Sequence, residues 1–260
     1  MPDVACVFGT FNRLGMLNTA VESIRRSVGA LSYKVVVVDG GSTDGTCEWL
    51  FEQADIFPIY QELPLTGAVA AFNLGFTAAV EMLATYVCIL NDDDELIGPD
   101  CEIERAVDMM QRDDAIGAVA LETDLRGDWT CEEWNGRPYC NKGIVRRSAG
   151  MAAARAAGDP EGCAWWSRDH HTYASDTELG LWIWRLGWTV VRGLGLRVHD
   201  LASKQSDAMR EANVAAYHKS GTVAKYHARW DDPKRLEYSA EDAWRFGGRI
   251  VERVEPNSRH

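Results

Sequence analysis

Long apolar runs are missing from this 260-residue sequence. No stretch of about 18 residues is apolar enough to cross a bilayer as a helix, and none is expected to. The N-terminus, Met1-Pro2-Asp3, lacks the basic and apolar regions of a signal peptide, so cytoplasmic residence is the expectation. The seven cysteines, at 6, 47, 88, 101, 131, 140 and 163, form no C-x-x-C pair, which argues against a thiolate zinc site. All seven read as reduced, with Cys6 and Cys88 as buried thiols inside apolar strands. A basic excess is missing too: 27 Lys and Arg face 39 Asp and Glu, and the net charge of −12 is the wrong sign for a nonspecific nucleic-acid binder. Neither the GK[ST] ending of a P-loop nor a G-x-G-x-x-G fingerprint occurs. There is no internal repeat and no low-complexity segment.

The residues that are present alternate between two periods. Strands are expected at 4–8, 34–39, 56–61, 86–90 and 116–121. Helices are expected at 14–28, 43–53, 66–84 and 99–111, the first carrying Leu14, Leu17, Val21, Ile24 and Val28 and the last opened by Pro99. Four consecutive valines, Val35 to Val38, mark a strand buried on both faces. This order implies an α/β fold, a mostly parallel Rossmann-like sheet with helices on both faces. The second half is less regular. A Trp-rich and acidic loop is expected at 125–140, a strand at 143–147, a second loop at 159–174, a helix at 176–186 and short strands at 188–191 and 196–198. A polar, helical extension spans 201–260.

In such a sheet, ligands bind beyond the carboxyl ends of the strands. Three strands end there in polar, small or acidic residues: Gly9-Thr10-Phe11-Asn12-Arg13, then Asp39-Gly40-Gly41-Ser42-Thr43-Asp44-Gly45, then Asn91-Asp92-Asp93-Asp94-Glu95. Three adjacent acids repel one another unless a cation sits among them, and hard oxygen ligands suit Mg²⁺ or Mn²⁺. A solvated turn would read the same way. The glycines permit close backbone approach, and they also suit a tight turn with Thr43 or Asp44 capping the next helix.

Together these segments resemble family 2 glycosyltransferases of the GT-A fold, over roughly residues 4 to 200. The resemblance implies a catalytic domain at 1–200, with a nucleotide-sugar and metal half at 1–121 and an acceptor half at 122–200. It implies that Thr10, Asn12, Arg13, Asp39 and Asp92 hold the nucleotide sugar. Asp93 matches the last acid of the family's D-x-D pattern and would bind the metal, with Asp94 the ligand if the register shifts by one. Asn91 stands where the family often has its first Asp. Ala71-Phe72-Asn73-Leu74-Gly75 is similar to the family's A-R-N-x-G segment. That adds Asn73 to the donor side, although a surface amide on a helix is an equal reading, and Phe72 replaces the usual Arg.

Ser175-Asp176-Thr177-Glu178-Leu179 looks like the family's E-D-x-D-L segment, with Ser175 in place of Glu. By that resemblance Asp176 is the general base. An acid there also suits a helix N-terminus. His199 falls where related enzymes end a strand in histidine and is a candidate second metal ligand. Trp165, Trp166, His170, His171 and Tyr173 precede the base, as Trp129 and Trp134 do further back. Their rings suit stacking on an acceptor or packing of a long loop, and Trp165 and Trp166 are taken as acceptor-side. The Lys225–Trp230 run is basic and aromatic. The implied activity is inverting, metal-dependent transfer from a nucleoside-diphosphate sugar. Its acceptor is a saccharide, a lipid-linked saccharide, a protein or a modified nucleobase. A sugar nucleotidyltransferase and a non-catalytic nucleotide-sugar binder remain alternatives, and the oligomeric state is open.

Overall fold

Alternation along each strand decides which side chains face which layer. In the first strand Val4, Cys6 and Phe8 join one buried cluster, while Ala5 and Val7 join another. Side chains of a strand point alternately to opposite faces, so a strand buried on both must be apolar throughout. The computed structural model describes residues 1–61, 67–98, 101–124, 127–170, 173–202, 214–215 and 221–250.

The elements run β1 (Val4–Thr10), α1 (Leu14–Ser27), β2 (Tyr33–Asp39), α2 (Thr46–Phe51), β3 (Ile56–Tyr60), α3 (Ala68–Glu81), β4 (Tyr86–Ile89), β5 (Asp94–Leu96), α4 (Glu102–Arg112) and β6 (Ile116–Thr123). There follow the hairpin β7 (Glu133–Trp134) and β8 (Arg137–Pro138), then β9 (Gly143–Arg146), α5 (Arg147–Ala156), α6 (Ser175–Arg185) and β10 (Thr189–Asp200). The chain then forms α7 (Thr222–Trp230), a short 3₁₀ turn at Pro233–Leu236 and α8 (Ala240–Phe246).

Among the described residues, eight strands form one sheet in the order β3-β2-β1-β4-β9-β6-β10-β5. Six share a direction, whereas β9 and β5 run antiparallel to their neighbours. On one face α1 and α4 bury Leu17, Val21, Ile24, Ile103, Val107 and Met110. On the other, α3, α5 and α6 bury residues such as Phe72, Phe76, Ala149, Leu179 and Ile183. Each large apolar side chain so buried contributes about 1.5–3 kcal/mol. A third cluster of Leu181, Tyr226, Trp230 and Leu236 ties the C-terminal elements onto α6.

The first nine expected elements are present, most within two residues of their expected ends; α2 is shorter, beginning at Thr46. Thr66 and Pro99, the expected starts of two helices, lie outside the described residues. Three features differ from expectation. The segments 188–191 and 196–198 belong to one strand, β10, whose pairing with β6 shifts between Gly193 and Arg197, around the exposed Leu194. That irregularity hides the continuity. The 125–140 segment holds the β7–β8 hairpin. Finally, β5 and the alanine-rich α5 add elements that the apolar pattern did not mark.

Candidate active site at the carboxyl edge of the sheet

The ends of β1, β2, β4 and β6 open on one edge, and the polar segments after the first three meet there. Asp39, fully buried at the tip of β2, accepts hydrogen bonds from the backbone N–H groups of Gly41 (3.1 Å) and Ser42 (3.0 Å). These bonds fold the Gly40–Gly45 segment back over the carboxylate. Asn12 supports the same loop from β1: its backbone N–H donates to Ser42 Oγ (2.8 Å) and its Oδ1 accepts from Thr43 N (2.7 Å). Its φ of 54° is in the left-handed region, which asparagine tolerates better than most residues. Asp44 takes the N–H of Leu14 (3.0 Å), capping the start of α1 from the neighbouring loop.

The acid run is held from both sides. Thr10 Oγ1 donates to Asp92 (2.9 Å), and Arg13 Nη1 lies 3.0 Å from both Asp92 Oδ1 and Asp93 Oδ2. Beneath them the buried Lys142 ammonium pairs with Asp94, whose other oxygen accepts from Asn91 N (2.7 Å). Lys142 reaches this place because β9 starts at this edge and presses close to β6. A Cβ at Gly143 would lie 2.1 Å from the Val119 carbonyl oxygen. Burial pushes the Asp92 carboxyl up to about 7, with Arg13 opposing and Asp93 adding to it. Burial likewise lifts Asp94 to about 6, against the pull of Lys142. The Lys142 ammonium itself is desolvated, which works downward, but Asp94, Asp200 and Asp93 overcome this and hold it above its ordinary value.

Asp176 sits in the first turn of α6. That helix feeds β10 at the opposite edge, so its N-terminus returns to the carboxyl edge. The preceding residue, Ala174, has φ 74°, a conformation costly for any residue with a Cβ. Burial raises the Asp176 pKa above the ordinary carboxylate value; Glu132 adds to this, while the Thr177 N–H and His170 oppose it. Tyr139, whose hydroxyl donates to Glu132 (3.0 Å), is itself raised by burial and by Asp176. Glu132 also lines a cavity of about 520 Å³ together with Glu122, Asp128, Trp129, Arg192 and Leu194.

In the same first turn of α6, Glu178 is enclosed by donors. His170 Nε2 lies 2.8 Å away, Trp230 Nε1 donates at 3.0 Å, and the Arg229 guanidinium pairs with it. Burial works against the charge, but these donors lower the Glu178 pKa overall. His170 and α7 are thereby fastened to the helix that carries Asp176.

The profile of Glycosyl transferase family 2 matches residues 6–158, more than half of the chain and all three strand-tip segments. The chain belongs to glycosyl transferase family 2. Among curated proteins no sequence match was found. The fold is shared with solved glycosyltransferase structures. A mannosyltransferase from Pyrobaculum calidifontis, solved with GDP-Man and Mn²⁺, aligns with TM-score 0.61 and 16% identity over 94% of this chain and 73% of its own. S. aureus TarS aligns with TM-score 0.54 and 13% identity over 84% of this chain and 43% of its own. TarS 1–349 with UDP gives TM-score 0.51 and 15% identity over 73% and 57%. The α/β, mostly parallel GT-A architecture is therefore shown.

Within this family 2 chain several expected contacts are spent on packing. Trp165 is buried, stacked on Phe76 at 5.1 Å, and a Cβ on Gly150 would meet its ring at 2.5 Å. Trp166 is buried against Phe72, with ring centroids 4.2 Å apart. Neither indole offers a face for stacking on an acceptor; both complete the core below α3, where a long loop must be covered. Phe72, at the family's Arg position, belongs to that same core. Asn73 is buried and bonds reciprocally with the backbone of Trp166, donating at 2.8 Å and accepting at 3.0 Å. It is neither a surface amide nor open to a donor in this arrangement. Trp134 donates to the Trp230 carbonyl (3.1 Å) and packs on Tyr226. Tyr173 is exposed, and His171 lies outside the described residues.

His199 faces Asp124, with Nδ1 2.5 Å from Oδ2, and its strand partner is Glu95, one residue beyond the acid run. Among the described residues no three His, Cys, Asp or Glu side chains converge as a ready-made metal site. The donor chemistry nevertheless fits a hard divalent ion, which takes one or two protein carboxylates and completes its shell with phosphate oxygens and water. No role was expected for Lys142, Asp124 or Tyr139, nor for Glu178, although it stands in the Ser175–Leu179 motif. Asp124 follows β6 as the other acids follow β4, and the same strand-tip rule would have found it. No local signal marks Lys142. Among the described residues no helix is long and apolar enough to cross a membrane.

Proposed function

We propose that this family 2 glycosyltransferase transfers a sugar, with inversion, from a nucleoside-diphosphate sugar to an acceptor hydroxyl, using Asp176 as the general base. The observation that carries this reading is a carboxylate of raised pKa, at the strained start of α6, on the same sheet edge as the Asp39 and Asp92 segments. A base is most effective when its pKa approaches the working pH.

The nucleoside would lie against Thr10, Asn12 and Asp39, with Arg13 and Asp92 toward the ribose and diphosphate. Asn73 acts behind this surface by holding Trp166. Asp93, with His199, would hold Mn²⁺ or Mg²⁺, which when bound offsets charge on the departing diphosphate. Asp176 accepts the hydroxyl proton as the acceptor oxygen bonds to the anomeric carbon. The bond from that carbon to the diphosphate oxygen breaks, and its electron pair leaves with the nucleoside diphosphate. The cavity beside Glu132 and Trp129 suits the acceptor, because its Glu132 accepts from Tyr139, which packs on α6, the helix that carries the base. Residues 1–200 make up the catalytic unit, with the later segments bracing it.

The test is Asp176→Asn. Transfer should fall by roughly 10²–10⁴-fold, the usual contribution of a general base, while the thermal shift with nucleoside diphosphate and Mn²⁺ is kept. Full turnover by the variant would remove Asp176 from the mechanism. A stabilising shift with a nucleoside triphosphate and none with any diphosphate would favour nucleotidyl transfer instead.

A further inference from the structure

The acid run carries three carboxylates, Asp92, Asp93 and Asp94, and among the described residues two cations of different exposure answer them. Lys142 has 3% of its side chain exposed, is paired with Asp94 and lies under the site. Arg13 comes from the turn before α1, has 14% of its side chain exposed, and spans Asp92 and Asp93 with a single nitrogen. An ion seated on Asp93 therefore meets a guanidinium already bonded to the same carboxylate. The guanidinium is planar, permanently charged and shaped to fork onto phosphate oxygens.

We propose that Arg13 is an exchangeable counter-ion of the donor site, which a divalent cation displaces from Asp93 and which then engages the diphosphate of the donor. This rests on the reading of Asp93 as a metal ligand. While Arg13 holds Asp93, its guanidinium sets a positive charge on the carboxylate that a divalent ion would need, and the site attracts that ion only weakly. When diphosphate draws Arg13 away, Asp93 is freed and the cluster becomes more negative toward the metal. Metal and nucleotide thus favour each other's binding, and linkage makes the effect reciprocal. Lys142 does not take part in the exchange; being enclosed, it keeps Asp94 in place throughout.

The experiment is a Mn²⁺ titration of the full chain, read by the electron paramagnetic resonance of free Mn²⁺, without nucleotide and then with GDP or UDP. Wild type, Arg13→Ala, Arg13→Gln and Asp93→Ala are compared, with circular dichroism and melting temperature as folding controls. Without nucleotide, Arg13→Ala and Arg13→Gln should bind Mn²⁺ about ten-fold more tightly than wild type. With saturating Mn²⁺ they should bind the diphosphate about ten-fold more weakly. Asp93→Ala should lose Mn²⁺ binding. If Asp93→Ala loses Mn²⁺ but both folded Arg13 variants bind it no better than wild type, the exchange is overturned and the metal ligand stands. If Asp93→Ala binds Mn²⁺ normally, the metal ligand falls and the exchange falls with it.

Discussion

Two groups of buried acids, both serving the same edge of the sheet, behave in opposite ways. Asp92 and Asp94 are enclosed by the protein and their pKa values rise to about 7 and about 6. Glu178 is as deeply enclosed and its pKa falls. Burial penalises the charged form in both places, so the difference lies in the donors. Glu178 has an imidazole, an indole and a guanidinium, the last shared with the half-exposed Asp169. Asp92, Asp93 and Asp94 crowd their like charges together and divide two cations among them. A carboxylate built to hold structure is fully supplied with donors. One that an incoming ligand would approach, in the proposed reading, is left short.

Lys142→Met is the change that breaks this contrast most severely. It leaves Asp94 buried without its counter-charge, and loss of about 3–5 kcal/mol is expected from removing one partner of a buried pair. Urea unfolding would measure it, and a loss below about 1 kcal/mol would mean that the pair contributes little. Glu178→Gln should cost somewhat less, because the amide still accepts from Trp230 or Arg229.

The two groups also oppose each other in pH dependence. Glu178 has a folded pKa below its ordinary 4.5, so its stabilisation is present above 4.5 and is lost as pH falls through the lowered value. Asp92 has a folded pKa of about 7, so its contribution is greatest below 3.8 and is lost as pH rises toward and through 7. In metal-free protein, melting temperature against pH should therefore lose part of its acid-side fall in Glu178→Gln and part of its neutral-side fall in Asp92→Asn. Identical profiles for both variants would refute the contrast. The smallest effect belongs to the exposed His227–Asp231 pair. There His227→Ala should change stability by less than about 0.5 kcal/mol, since solvent screens such pairs.

Much of the first half could be read from the sequence, because a parallel sheet converts chain order into geometry. Thr10, Asp39 and Asp92 follow apolar strands, and strand tips on one edge must meet. The Lys142–Asp94 pair was hidden for the opposite reason. Its partners stand 48 residues apart, and a single lysine before an apolar strand has no period. Trp165 and Trp166 show another limit: an indole that fills a core and one that faces a ligand look the same in sequence. Their buried positions follow from Gly150 and Phe72, which lie on helices elsewhere in the chain. Strand β5 escaped notice because Asp94 points inward to an ammonium, so an acidic residue occupies what is a core position.

Arg229 and Trp230 lie more than 50 residues beyond the Glu178 they secure. During synthesis on a ribosome, the strands and helices of residues 1–121 emerge and can pair well before this fastening is available. A nascent chain that has emerged only to residue 220 holds Glu178 without two of its three side-chain donors. The first turn of α6, and Asp176 on it, is thus completed late, so in the proposed reading the donor side is assembled before the group that would make it reactive.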